Sequence, residues 1–207
     1  EGEGGDGIEV IAKAHIGRQI VRAVTDDQLH GFFLMVRDVV HAGFGDGAGA
    51  AILSDDADGY LDSVVTVQGN DEVIKIPTAI GCSPFFTKEN DTPYIHMMGQ
   101  ETFKYAVTAI CNDVNTLLTN NNLTLEDIRY IVPHQANKRI IDFAAKRLKT
   151  TEDKFYLNIE RYGNTSSASI PIALDELNRS GSLKKGDYII LTAFGGGLAN
   201  AACLLRW

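Results

Sequence analysis

Two polar residues invite a chemical reading. His134 stands in Tyr-Ile-Val-Pro-His-Gln-Ala-Asn, straight after an apolar run that Pro133 closes. A histidine at a strand end is a candidate acid–base or hydrogen-bonding group, because its ordinary pKa lies near neutrality. The same place suits an ordinary polar turn residue, and the local sequence leaves both readings open. Asn164 follows in Arg-Tyr-Gly-Asn-Thr-Ser. Alone it reads as a turn or helix-capping residue. The three cysteines, Cys82, Cys111 and Cys203, are far apart, with no metal-ligand spacing and no Cys-x-x-Cys. His15, His30, His41 and His96 form no ligand-like pattern, so no metal is expected.

These residues need elements to position them. Arg129–Pro133 reads as a strand. Asn137–Leu148 reads as a helix with Ile140, Ile141, Ala144 and Leu148 on one side. Lys154–Gly163 reads as a strand and turn, and Asn164–Gly181 as a loop entering a helix, with Pro171 near its start. Gly186–Trp207 reads as two strands joined through Gly195-Gly196-Gly197. Strand, helix, strand, helix, strand, strand is an α/β layer. His134 and Asn164 both follow predicted strands and precede predicted helices, and functional loops of such sheets gather beyond the strand ends. They are therefore expected to be neighbours.

Upstream, Phe103, Val107, Ile110, Val114, Leu117 and Leu118 keep helical spacing, ended by Asn120-Asn121-Asn122. Residues 76–95 read as a loop. Asp62–Gly69 and Ala48–Ser54 read as strands, the second led in by a Gly-rich turn, Gly43-Phe-Gly-Asp-Gly. Residues 8–24 and 25–40 read as two weak helices.

The bulk numbers fit one globular unit or slightly more. The chain has 207 residues, 44% hydrophobic and 22% charged. Its net charge of −8 argues against general nucleic-acid binding. Lys138, Arg139, Lys146 and Arg147 nevertheless form a local basic patch. No apolar run approaches the length of a membrane helix. The acidic, Gly-rich start is unlike a signal peptide, so reduced thiols and a cytoplasmic setting are expected.

Three motifs in order carry a resemblance. Val-Pro-His-Gln-Ala-Asn-Lys-Arg-Ile-Ile, Arg-Tyr-Gly-Asn-Thr-Ser-Ser-Ala-Ser-Ile-Pro and Ala-Phe-Gly-Gly-Gly-Leu-Ala-Asn-Ala-Ala-Cys-Leu-Leu-Arg-Trp closely resemble the C-terminal half of β-ketoacyl-acyl-carrier-protein synthase III. Phe-Gly-Asp-Gly-Ala-Gly-Ala-Ala-Ile-Leu matches the family's lead into this half. The resemblance implies a thiolase-like α/β fold, a mixed sheet flanked by helices, over residues 44–207. Residues 1–43 do not look like the family and stay unassigned.

The resemblance also implies roles. His134 and Asn164 match the catalytic histidine and asparagine. Gly196 matches a backbone donor of the acyl oxyanion hole, and Phe194 the aromatic beside the catalytic cysteine. Gly99, Phe103 and Asn137 fall where the pantetheine channel is lined. Lys104, Arg139 and Lys146 fall on positions that dock the acidic carrier protein. The family joins acyl-CoA to malonyl-acyl carrier protein with loss of CO₂, with coenzyme A thioester as substrate and no cofactor. Expected partners are acyl carrier protein and acyl-CoA, with a homodimer in a full-length enzyme.

The resemblance lacks one part. The family's nucleophile is a cysteine at a helix start, where the helix dipole favours thiolate. It precedes the Gly-Asp-Gly turn, and residues 1–43 contain no cysteine. Cys82, in Ala-Ile-Gly-Cys-Ser-Pro-Phe, looks like a nucleophile motif only superficially and falls in a variable linker. Cys111 and Cys203 read as core residues. Three readings follow: part of a longer synthase, a complementing subunit, or a non-catalytic relative that binds coenzyme A or carrier protein. Half of such a fold is expected to expose an apolar face.

Overall fold

The computed structural model describes residues 9–13, 31–32, 44–52, 59–75 and 95–207. Its centre is a four-stranded mixed sheet in the order β4 (Tyr60–Asn70), β9 (Gly197–Arg206), β8 (Tyr188–Gly195), β7 (Ile128–Pro133). β7 and β8 run parallel, while β9 is antiparallel to both β8 and β4. β7 is apolar wherever its side chains meet the core, and Ile128, Ile131 and Val132 are fully buried. Such near-continuous burial is what a strand covered on both faces requires.

Helices cover both faces. On one lie α1 (Gly99–Asn120) and α2 (Lys138–Arg147). Val107, Ile110, Val114, Leu117 and Leu118 of α1 pack with Ile140, Ile141 and Ala144 of α2 and with Ile131, Ile190 and Leu204 of the sheet. Each of the Val, Leu and Ile side chains contributes about 1.5–3 kcal/mol by leaving water. Asn137 caps α2 by accepting the Arg139 N–H at 2.9 Å, and Lys146 and Arg147 sit at the helix end that favours cations.

On the other face lies α4 (Ser169–Arg179), whose Ala173, Leu174 and Leu177 pack with Val132, Ile189 and Leu205. A second sheet, β1 (Glu9–Lys13), β3 (Ala48–Ile52) and β2 (Gly31–Phe32), lies against the far side of α4. Thus α4 is sandwiched between two sheets. A short pair, β5 (Ile74–Lys75) with β6 (His96–Met97), precedes α1.

Three predicted elements need correction. Glu9–Lys13 and Gly31–Phe32 are strands, not helix, because both pair antiparallel with β3. The remainder of the two predicted helices lies outside the described residues. The strand expected after Lys154 is a single parallel bridge, Ile131 to Phe155, followed by the short helix α3 (Ile159–Tyr162). Side-chain hydrogen bonds from Gln135 take the backbone groups that a strand would have used. The loop expected at 76–95, with Cys82, lies almost wholly outside the described residues. On β4, an edge strand among the described residues, Val65 and Val67 are each 71% exposed, beside exposed Tyr60 and Leu61.

Candidate functional site

The parallel ladder sets His134. It follows directly on β7, and its backbone N–H donates to the Thr192 carbonyl of β8 at 2.8 Å. Its ring lies 5.7 Å, centroid to centroid, from that of Phe194, at an edge-to-face angle of 60°. On its other side, Nδ1 is 2.8 Å from the Ser169 hydroxyl at the start of α4. Burial pulls the imidazole pKa down to about 4, because the charged form loses its water. The ring is therefore neutral at pH 7.

Asn164 is held differently. It lies on the irregular stretch between α3 and α4, after Gly163, whose φ of +68° favours glycine. Its carbonyl accepts the Gly45 N–H at 2.9 Å, and its side-chain oxygen accepts the Ser166 N–H at 2.9 Å. With the oxygen committed, the amide N–H₂ is the end turned to other partners, and no described group takes it. His134 and Asn164 share no direct bond among the described residues. Both are tied to the segment that leads into α4.

Side chains that sequence reasoning passed over build this segment. Gln135 is fully buried and uses its whole amide. Its Nε2 donates to the carbonyls of Pro133 and Tyr156 at 2.9 and 3.1 Å. Its Oε1 accepts the N–H groups of Asn158 and Ile159 at 3.0 and 3.2 Å. Glu176, on α4, accepts from Tyr156 OH, Asn158 Nδ2, Arg161 Nη2 and Tyr162 OH at 3.0, 2.8, 2.8 and 2.6 Å. Burial pushes its carboxyl up. The bonds from Tyr162, Asn158 and Tyr156, with the Arg161 charge, outweigh that and hold it below the usual carboxylate value. Gln135 directly follows His134, the only hint of its role in the sequence. Glu176 left none, since a charged helix residue normally reads as solvated.

The Gly-Asp-Gly turn has a job beyond turning. A Cβ on Gly45 would collide with the Tyr162 carbonyl, and one on Gly47 would lie 2.9 Å from Ile172 Cδ1. These glycines let the lead into β3 press against the Asn164 segment.

The remaining predicted residues fall in two places. Phe194, Gly195 and Gly196 lie where β8 turns into β9. Gly196 is exposed, and a Cβ there would meet Ile74 at 3.6 Å. Opposite Phe194 in the ladder is Asn200, which donates to both oxygens of buried Asp113 on α1 at 2.8 and 2.7 Å. The rest gather on the α1–α2 side. Phe103 meets Phe143 edge-on with centroids 5.2 Å apart, and Lys146 lies over the Phe143 ring. Arg139 and Asn137 are exposed, and Lys104 pairs with Glu101. Gly99 opens α1 with empty space around it.

The described cysteines are poor nucleophiles. Burial pushes the Cys203 thiol up to about 11 and raises Cys111, whose Sγ is 3.7 Å from the Ala144 carbonyl in the core. Among the described residues, no group of three potential metal ligands occurs and no helix is long and apolar enough to cross a membrane.

Known proteins resemble this chain in sequence and fold. Residues 118–207 match the family model of the 3-oxoacyl-[acyl-carrier-protein] synthase III C terminal. The chain is 50% identical over 168 residues to a β-ketoacyl-[acyl-carrier-protein] synthase III of Clostridium beijerinckii, covering 79% of this chain and 52% of that one. It is 38% identical over 195 residues to the Clostridium acetobutylicum protein of the same name, covering 93% and 58%. The crystal structure of the Thermus thermophilus β-ketoacyl-[acyl carrier protein] synthase III superposes with a TM-score of 0.71 at 38% identity, over 80% of this chain and 52% of that one. The chain thus spans about half the length of the curated relatives it matches. Its fold is thiolase-like, and its C-terminal part matches the C-terminal half of β-ketoacyl-[acyl-carrier-protein] synthase III proteins.

Proposed function

We propose that this chain carries the malonyl-handling part of a β-ketoacyl-[acyl-carrier-protein] synthase III, an acyltransferase that starts fatty acid synthesis by decarboxylating condensation. One observation carries the reading. His134 is a half-buried, neutral imidazole beside Phe194, with Nδ1 engaged and Nε2 left for substrate. In the reaction, the bond from the malonyl Cα to its carboxylate breaks and CO₂ leaves. The electron pair passes into the thioester as an enolate. The enolate carbon then attacks an acyl thioester carbonyl, a C–C bond forms, and a thiolate leaves.

A developing enolate oxygen needs fixed donors. His134 Nε2–H and Asn164 Nδ2–H are assigned to it, since the Asn164 oxygen is already occupied. Gly196 N–H serves the acyl oxyanion, and Phe194 shields the reacting centre. Gly99, Phe103 and Asn137 line the pantetheine path. Lys104, Arg139 and Lys146 meet an acidic carrier protein, and the exposure of α2's basic residues supports this. Acyl-CoA and acyl carrier protein are the proposed partners. Thioesters serve as substrates without a further cofactor, in a cytoplasmic, homodimeric enzyme. The acylated thiol comes from outside residues 95–207, because Cys111 is buried, Cys203 is half-buried, and both thiols have raised pKa values. The same cysteines favour a second reading, a complementing or non-catalytic subunit that binds coenzyme A or carrier protein. The division of the chain at residue 43 belongs to the proposal, and limited proteolysis checks it.

The test is CO₂ release from malonyl-carrier protein. His134→Ala and Asn164→Ala are each expected to slow it by roughly 10²–10³-fold, the usual effect of losing one oxyanion donor. Unchanged release in both variants rules out the donors. Carrier-protein affinity without any CO₂ release in the parent chain selects the binding subunit.

A further inference from the structure

Ser169 touches the histidine, yet no role has been given to it. It is the first residue of α4 and only 2% exposed. Its hydroxyl has two described neighbours: His134 Nδ1 at 2.8 Å and the Gln135 backbone N–H at 3.2 Å. A backbone N–H can only donate, so Gln135 occupies a lone pair of the oxygen. The hydroxyl's own proton then needs an acceptor. In helices a serine commonly returns that proton to the carbonyl four residues back. Here that carbonyl belongs to Thr165 and takes the Ala168 N–H at 3.1 Å, and no bond from Ser169 to it occurs among the described residues. Nδ1 of His134 is the acceptor that remains.

The surrounding geometry holds this donor direction. The Gln135 side chain is saturated by four backbone groups, so its backbone N–H stays aimed at Ser169. The His134 backbone is fixed to Thr192 of β8. The opposite tautomer would place a proton on Nδ1. Ser169 Oγ would then accept twice, and its own proton would stay buried without an acceptor, an arrangement that folded proteins avoid.

We propose that Ser169 is a positioning residue that donates its hydroxyl proton to His134 Nδ1 and so keeps the single ring proton on Nε2. The nitrogen next to the serine selects the tautomer, and the far nitrogen becomes the donor. The proposal deepens the donor role assigned to His134 above and rests on it for its consequence, while the tautomer itself is measurable apart from any activity. The neutral ring produced by burial supplies the single proton to be placed.

The experiment is nitrogen NMR of the full chain labelled with ¹⁵N-histidine at pH 7. The parent chain is expected to show His134 with a protonated Nε2 and an unprotonated, hydrogen-bonded Nδ1. In Ser169→Ala the Nδ1 signal is expected to lose its hydrogen-bond shift, and the ring to become a mixture of tautomers. A protonated Nδ1 in the parent chain overturns the proposal. So does a Ser169→Ala spectrum identical to that of the parent. If Ser169→Ala does not fold, the parent spectrum decides alone. A protonated Nε2 combined with unchanged CO₂ release in His134→Ala would leave the tautomer assignment standing and remove the catalytic reading.

Discussion

His134 and Asn164 are held by opposite means. The sheet sets His134: β7 runs parallel to β8, and the next backbone N–H completes the ladder on Thr192. Asn164 sits on a stretch with almost no ladder of its own. It is placed by the buried amide of Gln135, the carboxylate of Glu176 and the close approach of Gly45. A residue at a strand end inherits its position from regular backbone pairing. A residue on irregular chain needs side chains to do what the ladder does elsewhere, since buried backbone groups must be paired.

The largest expected effect comes from removing the side-chain support. Glu176→Ala leaves the hydroxyls of Tyr156 and Tyr162 and the buried Asn158 amide without their acceptor. A stability loss of about 3 kcal/mol is expected in urea unfolding, with the exposed Arg161 contributing little. Amide shifts should change over residues 156–164, while His134 keeps its own. A His134 shift as large as that of Asn164 would break the contrast.

A similar effect belongs to the histidine and appears in acid. The folded pKa of about 4 lies below the ordinary 6.5, so the unfolded chain binds more protons between these values. Stability therefore rises with pH across pH 4–6.5 and is lost as pH falls through that window. The expected amplitude is on the order of 3 kcal/mol. His134→Gln should flatten this part of the curve. Glu176, whose folded pKa is lowered, also loses its contribution in acid, but only below its ordinary carboxylate value of 4.5. A parent curve that matches that of His134→Gln from pH 5 to 6.5 would sink the assignment.

The smallest effect tests the close approach. Gly45→Ala places a methyl group against the Tyr162 carbonyl, and overpacking should cost about 2 kcal/mol. Gly99→Ala, with open space around it, should stay within about 0.5 kcal/mol. Equal melting temperatures for the two variants would show that the Gly-Asp-Gly turn does not press on the Asn164 segment.

Much of the C-terminal fold was legible in the sequence. The apolar spacing of Phe103–Leu118 read as a helix, and α1 spans Gly99–Asn120. The runs around Ile131, Ile190 and Leu204 read as strands and are β7, β8 and β9. Such elements bury a full face, so periodicity survives in the residue types. Glu9–Lys13 and Gly31–Phe32 were misread as helix, because β1 and β2 are short and their apolar residues keep no clean period. Partners on β3 decided their conformation. The stretch after Lys154 was misread for a related reason, since Gln135 takes the backbone groups that a strand would have offered to a neighbour.

The sequence alone determined that a histidine follows a buried strand, that an asparagine precedes a helix, and which residue types stand beside them. Local chain stiffness and hydrophobic period are enough for that. Tertiary structure alone decided which nitrogen of His134 is free and what packs around Asn164. Asn164 presents its amide nitrogen because its oxygen meets Ser166, and His134 presents Nε2 because Ser169 meets Nδ1. Gly45 and Glu176 acquired their meaning only through contact with the same segment. The orientation of Asn164 is set two residues away, but the partners of His134, Gly45 and Glu176 are more distant in sequence, and no local pattern encodes them.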